Sequence, residues 1–182
     1  MKPRGIAAGK QPVGFDAIEF AVEQIAAGQP VVAVDDEDRE NEGDLIFAAE
    51  LATPELLAFT IRYSSGVVCV PLTGHDCDRL ALPPMRRLNE DREGAAYTVS
   101  VDATDIPDTG ISAADRAHTI RVLAGADTEP GDLTRPGHVF PVRCECSNYL
   151  ARSGRDKWRC IRTYVQVTVG SMAHRRRSRS GS

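Results

Sequence analysis

The chain has 182 residues, with 22 Lys and Arg against 26 Asp and Glu, a formal net charge of −4, 42% hydrophobic and 26% charged residues. These proportions fit one globular domain able to bury a core, and no apolar run reaches the roughly 18–20 residues of a membrane-spanning helix. The mild total hides an asymmetry: residues 1–142 carry 12 basic and 24 acidic side chains, net −12, whereas residues 143–182 carry 10 basic and 2 acidic, net +8. Met1-Lys2-Pro3-Arg4-Gly5 lacks the apolar stretch of a secretory signal, and an odd count of five cysteines suits reduced thiols, so a cytoplasmic location is expected.

Residues 1–14 are rich in Gly, Pro and Lys and read as a flexible arm. Phe15, Ile18, Val22, Ile25 and Ala26 recur at helical spacing, and Gly28 and Pro30 end that helix. Val31–Val34 is a short β-branched strand, followed by an acidic loop over 35–44 and a second strand at Leu45–Ala49. Thr53-Pro54-Glu55 starts a helix: the hydroxyl caps, proline fits the first turn, and Glu suits its positive end. That helix is expected to stop near Gly66. Val67–Leu72 reads as a third strand, 73–96 as irregular, and Tyr97–Val101 as an alternating strand. Ser112 and Asp115 open a helix reaching about Leu123, and strands follow at His138–Val142 and Tyr164–Val169. Interleaved strands and helices predict an α/β sandwich.

The loop Asp35-Asp36-Glu37-Asp38-Arg39-Glu40-Asn41-Glu42-Gly43-Asp44 holds seven carboxylates in ten residues, between two strands. A solvated turn accounts for many charge runs. Here the anchored ends, the embedded Arg39 and the bend allowed by Gly43 favour a site for an oxygen-seeking cation such as Mg²⁺ beside an anionic ligand.

With Leu45-Ile46 after it, this loop resembles that of the 3,4-dihydroxy-2-butanone 4-phosphate synthases of riboflavin biosynthesis. The resemblance continues in order through Ser65–Pro71, Leu82–Met85, Tyr97–Ala103, Thr109–Arg116 and Arg135–Pro141, covering about residues 15–143. It implies an α/β sandwich of that type. It also implies a homodimer with sites at the interface, and conversion of D-ribulose 5-phosphate, a small-molecule sugar phosphate, to 3,4-dihydroxy-2-butanone 4-phosphate and formate with Mg²⁺ (or Mn²⁺). A cation bridging substrate oxygens stabilises an enediolate, and a carboxylate or imidazole within hydrogen-bond reach moves the protons.

Carried over by position, Arg39, Glu40 and Asp44 resemble substrate contacts and Glu40 a metal ligand. Glu40, Asp44 and His138 resemble the catalytic set, and Arg152, Ser153 and Gly154 a phosphate-binding loop. Cys69 and Thr109 border the site. Cys69 reads slightly better as a small buried strand residue than as a direct participant, and Thr109-Gly110 reads equally as a turn and cap. His75, His118 and His174 match no functional position.

After Arg143 the resemblance decays. Arg155 stands where a second metal ligand, a histidine, is implied, Ser147-Asn148 replaces a Gly-Gly pair, and no Glu follows Glu145. Arginine has no lone pair for a metal. Segment 144–169 is therefore expected to replace the family's final loop, helix and strand atypically, leaving the sandwich incomplete, and 170–182 to form a disordered basic tail. Cys144, Cys146, Cys160 and His174 fit no standard zinc spacing. Beside an active synthase, two alternatives follow. One is an inactive, truncated or frameshifted member; the other is a non-enzymatic binding module using the basic tail. Nucleic acid is not an expected partner, since a few arginines without a reading module are a weak footprint. The chain is also too short for the GTP cyclohydrolase II domain that some members carry.

Overall fold

Short caps and β-branched runs set the local structure. The computed structural model describes residues 18–34, 42–90, 95–144 and 164–171, with only the Val165 and Val167 side chains in the last stretch. The helices are α1 (Ile18–Ala26), α2 (Pro54–Tyr63), α3 (Gly74–Arg79) and α4 (Ala113–Ala124). The strands are β1 (Val31–Val34), β2 (Glu42–Ala48), β3 (Cys69–Thr73), β4 (Val101–Ala103), β5 (Leu133–Cys144) and β6 (Tyr164–Ser171). Thr53 caps α2 by accepting Leu56 N–H at 3.2 Å, and Ser112 caps α4 by accepting Asp115 N–H at 3.0 Å, both as the sequence indicates.

The strands form one sheet in the order β1-β2-β6-β3-β5-β4. β3 and β5 run parallel, and the other neighbours antiparallel. Leu45 and Phe47 of β2, Val165 and Val167 of β6, Val70 of β3 and Val139 of β5 are buried. Leu57 of α2 and Ala117, Ile120 and Leu123 of α4 complete this core. Each large apolar side chain removed from water contributes about 1.5–3 kcal/mol, so this side of the sheet carries most of the folding energy.

Several boundaries differ from expectation. β2 begins at Glu42, so Asp44 lies on a strand rather than in the acidic loop, of which 35–41 fall outside the described residues. β3 starts at Cys69, two residues late, because Gly66 takes a left-handed φ of 75° and Val67 is still leaving that turn. Residues 74–79, expected to be irregular, form α3. Only Cys77 of that helix is buried, so it shows no apolar period; Thr73 defines it by accepting Asp76 N–H at 3.1 Å. The strand expected at 97–101 resolves into isolated bridges at Tyr97 and Thr98 and a strand starting at Val101. β5 extends well before His138, to Leu133.

β6 sits in the middle of the sheet, pairing with β2 over Glu42–Ala48 and with β3 at Cys69. Thus the atypical segment still supplies a central strand. It runs to Ser171, two residues into the stretch expected to be a disordered tail, because those residues continue the ladder opposite Glu42 and Gly43. Residues 1–17, 145–163 and 172–182, which include most of that tail, lie outside the described residues.

Candidate active site

The opposite, half-exposed face of the sheet carries the candidate chemistry. Ile46, Gln166, Cys69 and Phe140 occupy one row across β2, β6, β3 and β5. Side chains alternate along a strand, so Asp44, two residues before Ile46, shares the face with Cys69, and His138 stands two residues before Phe140, where β5 leaves its ladder with β4. β2, β3 and β5 all run the same way, which places Asp44 and His138 toward the same end. Three strand spacings of about 4.8 Å separate them by about 14 Å. That gap is too wide for a direct hydrogen bond between the two side chains.

His138 is set by an irregularity between β4 and β5. Val101 pairs with Val139, yet Asp102 pairs with Thr134, so residues 135–138 loop out of the ladder over Asp102. Gly137 makes this possible: a Cβ there would lie inside the Val101 backbone, and its N–H donates to Ser100 Oγ at 3.2 Å. Asp102 Oδ1 then accepts the His138 backbone N–H at 2.9 Å, and Oδ2 faces Nδ1 at 2.7 Å. The carboxylate is 6% exposed and the imidazole 38%. The neutral tautomer with its proton on Nδ1, toward the carboxylate, is the one that leaves a lone pair on Nε2. Gly110, at φ 92°, packs against this carboxylate, and a Cβ there would stand 2.5 Å from Asp102 Cγ. The neighbouring Thr109 is exposed beside the pair.

Cys69 is half-buried, with its thiol donating to the Tyr97 hydroxyl at 3.9 Å. Burial pushes the thiol pKa up, the Tyr97 hydroxyl draws it down, and the Asp44 charge adds to the rise. Cys69 is therefore a neutral thiol near pH 7 rather than a nucleophilic thiolate.

The structure thus brings Asp44, Cys69, Thr109 and His138 to one face or its rim. Arg39, Glu40, Arg152, Ser153, Gly154 and Arg155 lie outside the described residues, as do Cys146, Cys160 and His174. Asp102 was missed by sequence reasoning. The available signal was a lone carboxylate ending the alternating run Thr98–Val101, just before the Thr109-Gly110 turn. His118 makes a separate surface pair, Nε2 to Asp105 Oδ1 at 2.7 Å, and His75 is exposed.

Among the described residues no group of three His, Cys, Asp or Glu side chains is placed to hold a metal. Nor is any helix there long and apolar enough to cross a membrane.

The sequence profile of the 3,4-dihydroxy-2-butanone 4-phosphate synthase family matches residues 19–157. The riboflavin biosynthesis protein RibBA of Nocardia farcinica is 68% identical over 143 residues, 79% of this chain and 34% of that protein. Its counterpart from Salinispora arenicola is 64% identical over the same shares. The chain thus spans about a third of the length of these curated relatives. Among solved structures, a 3,4-dihydroxy-2-butanone 4-phosphate synthase in complex with two magnesium ions aligns with TM-score 0.77 and 44% identity, over 85% of this chain and 76% of that one. RibBX, a two-domain synthase from A. baumannii, aligns with TM-score 0.74 and 35% identity, over 87% of this chain and 49% of that one.

Proposed function

Because the chain belongs to the 3,4-dihydroxy-2-butanone 4-phosphate synthase family, we propose that it converts D-ribulose 5-phosphate to 3,4-dihydroxy-2-butanone 4-phosphate and formate. The observation that carries this reading is the His138–Asp102 pair, held beside the sheet face that bears Asp44 and Cys69. The reaction needs a proton removed beside a carbonyl and returned later. A neutral imidazole whose Nδ1–H is fixed by a buried carboxylate does this at Nε2. Asp102 holds the ring in that tautomer and stabilises the imidazolium once the proton has been taken. Asp44 and Arg39 are proposed to hold the sugar hydroxyls, and Arg152, Ser153 and Gly154 the phosphate. Cys69, neutral and beside Tyr97, lines the floor.

The metal is a separate question. A carboxylate such as Glu40 is the hard oxygen donor that Mg²⁺ or Mn²⁺ takes. Arg155, a permanent cation, stands where the second protein ligand is implied and cannot ligate. This donor set therefore does not make a complete site of the family's kind.

Val67 and Ile111 are 46% and 54% exposed, and Ile111 follows the Gly110 that packs on Asp102. Exposed apolar side chains of this kind support a homodimer in which a second copy covers them. The odd count of five cysteines, suited to reduced thiols, supports a cytoplasmic enzyme.

The test is formate release by the full-length chain from ribulose 5-phosphate, with and without added Mg²⁺. Formate in step with substrate consumption is expected. A second reading, an inactive member, is favoured by Arg155 and by the lack of any Glu after Glu145. It is adopted if a folded preparation releases none.

A further inference from the structure

The loop 104–112 joins β4 to α4 and brings Gly110 onto the Asp102 carboxylate. Both ends of this loop are fixed. At its start, Ala103 N–H donates to Thr119 Oγ1 at 3.0 Å, and Asp105 Oδ1 meets His118 Nε2 at 2.7 Å, so α4 holds the chain as it leaves β4. Thr104 N–H donates to Asp132 O at 2.9 Å. At its end, Ser112 caps α4, its hydroxyl accepting Asp115 N–H and its carbonyl accepting Arg116 N–H, each at 3.0 Å. A loop held in this way does not back away from the strand beneath it without breaking these bonds.

The three atoms nearest to a Cβ at position 110 all belong to the Asp102 carboxylate: it would overlap Oδ2, stand 2.5 Å from Cγ and 2.9 Å from Oδ1. These are the same oxygens that hold His138, Oδ1 through its backbone N–H and Oδ2 at its ring. Gly137 makes a useful contrast. A side chain there meets backbone, which cannot turn, so the cost falls on the fold. A side chain at 110 meets the end of another side chain, which can turn. With the loop fixed at both ends, relief comes from rotation of Asp102 about its own bonds, and that rotation takes its oxygens off His138.

On the reading of the site given above, we propose that Gly110 is a positioning residue for the His138–Asp102 pair. The space left by its missing Cβ is the seat of Asp102 Oδ2, and its backbone closes that seat, which helps to keep the carboxylate only 6% exposed. A carboxylate shut off from water keeps its hydrogen bonds to His138 rather than exchanging them for solvent. The left-handed φ of 92° is a second reason for glycine at this position, and it does not depend on Asp102. Making room at position 102 separates the two reasons.

The experiment is a cycle of thermal melts on the full chain with Gly110→Ala, Asp102→Ala and the double variant, joined to formate release by folded Gly110→Ala. Backbone strain at 110 costs the same whether or not a carboxylate lies beneath it, whereas the collision disappears with the carboxylate. Gly110→Ala is therefore expected to lower the melting midpoint by several degrees in the wild type and by clearly less in the Asp102→Ala background. Equal losses in the two backgrounds overturn the proposal. In turnover, kcat per folded molecule is expected to fall at least about tenfold with KM near the wild-type value, a part of the roughly 10²–10⁴ that a positioned acid–base group supplies. A structural role alone lowers the midpoint and leaves the kcat of the folded protein unchanged, so an unchanged kcat in an active chain also overturns it. The melts need no turnover, so they stand or fall apart from the synthase reading. If Gly110→Ala does not fold, a cooperative melt regained in the double variant supports the proposal, and continued failure to fold overturns it. If Asp102→Ala alone does not fold, hydrogen exchange at the His138 backbone amide decides: faster exchange in Gly110→Ala supports the proposal, and unchanged protection overturns it.

Discussion

Asp102 holds His138 at two points, one oxygen accepting its backbone N–H at 2.9 Å and the other meeting its ring Nδ1 at 2.7 Å. The backbone bond fixes where the residue sits, and the ring bond fixes which nitrogen is free. Asp102→Asn keeps the shape but removes the charge that selects the tautomer. Formate release is expected to fall by about 10²–10⁴ in kcat, the usual share of a positioned acid–base group. KM stays near the wild-type value, because ground-state contacts are untouched. Steady-state kinetics of the folded variant check this, and a fall in kcat/KM carried by KM alone counts against the role.

The looped-out segment that carries His138 depends on a close backbone approach. A side chain at position 137 collides with the backbone at Val101 and Asp102, neither of which can rotate away. Gly137→Ala is therefore expected to destabilise the fold by about 1–3 kcal/mol, as overpacking against fixed atoms does. Its thermal midpoint falls by several degrees, and His138 loses its register on Asp102. Circular dichroism melts together with formate release measure both, and a midpoint equal to wild type contradicts the placement.

How far the sequence foretold this arrangement depends on the kind of signal. Elements with a cap or an apolar period were legible: Thr53 and Ser112 do cap α2 and α4, and Val31–Val34 is a strand. α3 was not, although Thr73 caps it, because a helix of Gly-His-Asp-Cys-Asp-Arg buries only Cys77 and shows no apolar period to reinforce that cap. His138 was legible through the motif around it. Asp102 was not, because its importance comes from a register break between strands distant in sequence. Local pattern reports which face a residue takes, and only the fold reports what stands opposite.

Cys77 gives a pH test of the core. Burial pushes its thiol from an ordinary value near 9 up to about 11, with the Arg143 charge opposing the rise. The folded pKa is raised, so between pH 9 and 11 the unfolded chain has lost a proton that the native chain keeps. Stability is intact below that window and declines as the pH rises through it. Denaturant melts at stepped pH should show this decline in the wild type and a shallower one in Cys77→Ala. Equal slopes would mean that the native thiol titrates normally.

Arg155 offers a direct probe of the metal question. If this position carries the missing ligand, Arg155→His replaces a repelling cation with a nitrogen lone pair. Calorimetric titration with Mg²⁺ is expected to show at least about tenfold tighter binding in the variant, the scale of effect seen around ligating residues. Glu40→Gln in the same background should abolish that gain. Unchanged Mg²⁺ affinity would place the chain's deficit, if any, elsewhere.

The last prediction concerns the end of the chain, where the net charge reverses. Val165 and Val167 of β6 are buried in the core, and β6 separates β2 from β3. Ending the chain after position 163 removes both valines and exposes the unpaired edges of two neighbouring strands, a template for aggregation. The loss of two buried valines alone amounts to about 3–6 kcal/mol, comparable with the whole stability of many domains. Ending it after 171 instead removes most of the basic tail and none of β6. The shorter product is expected to be insoluble or to lack a cooperative melt, and the longer to melt like the full chain. If the tail served a macromolecular partner, salt-dependent binding would be lost in the chain ending at 171 while its fold and turnover stayed intact. A chain ending at 163 that folds cooperatively would show that β6 is dispensable to the sheet.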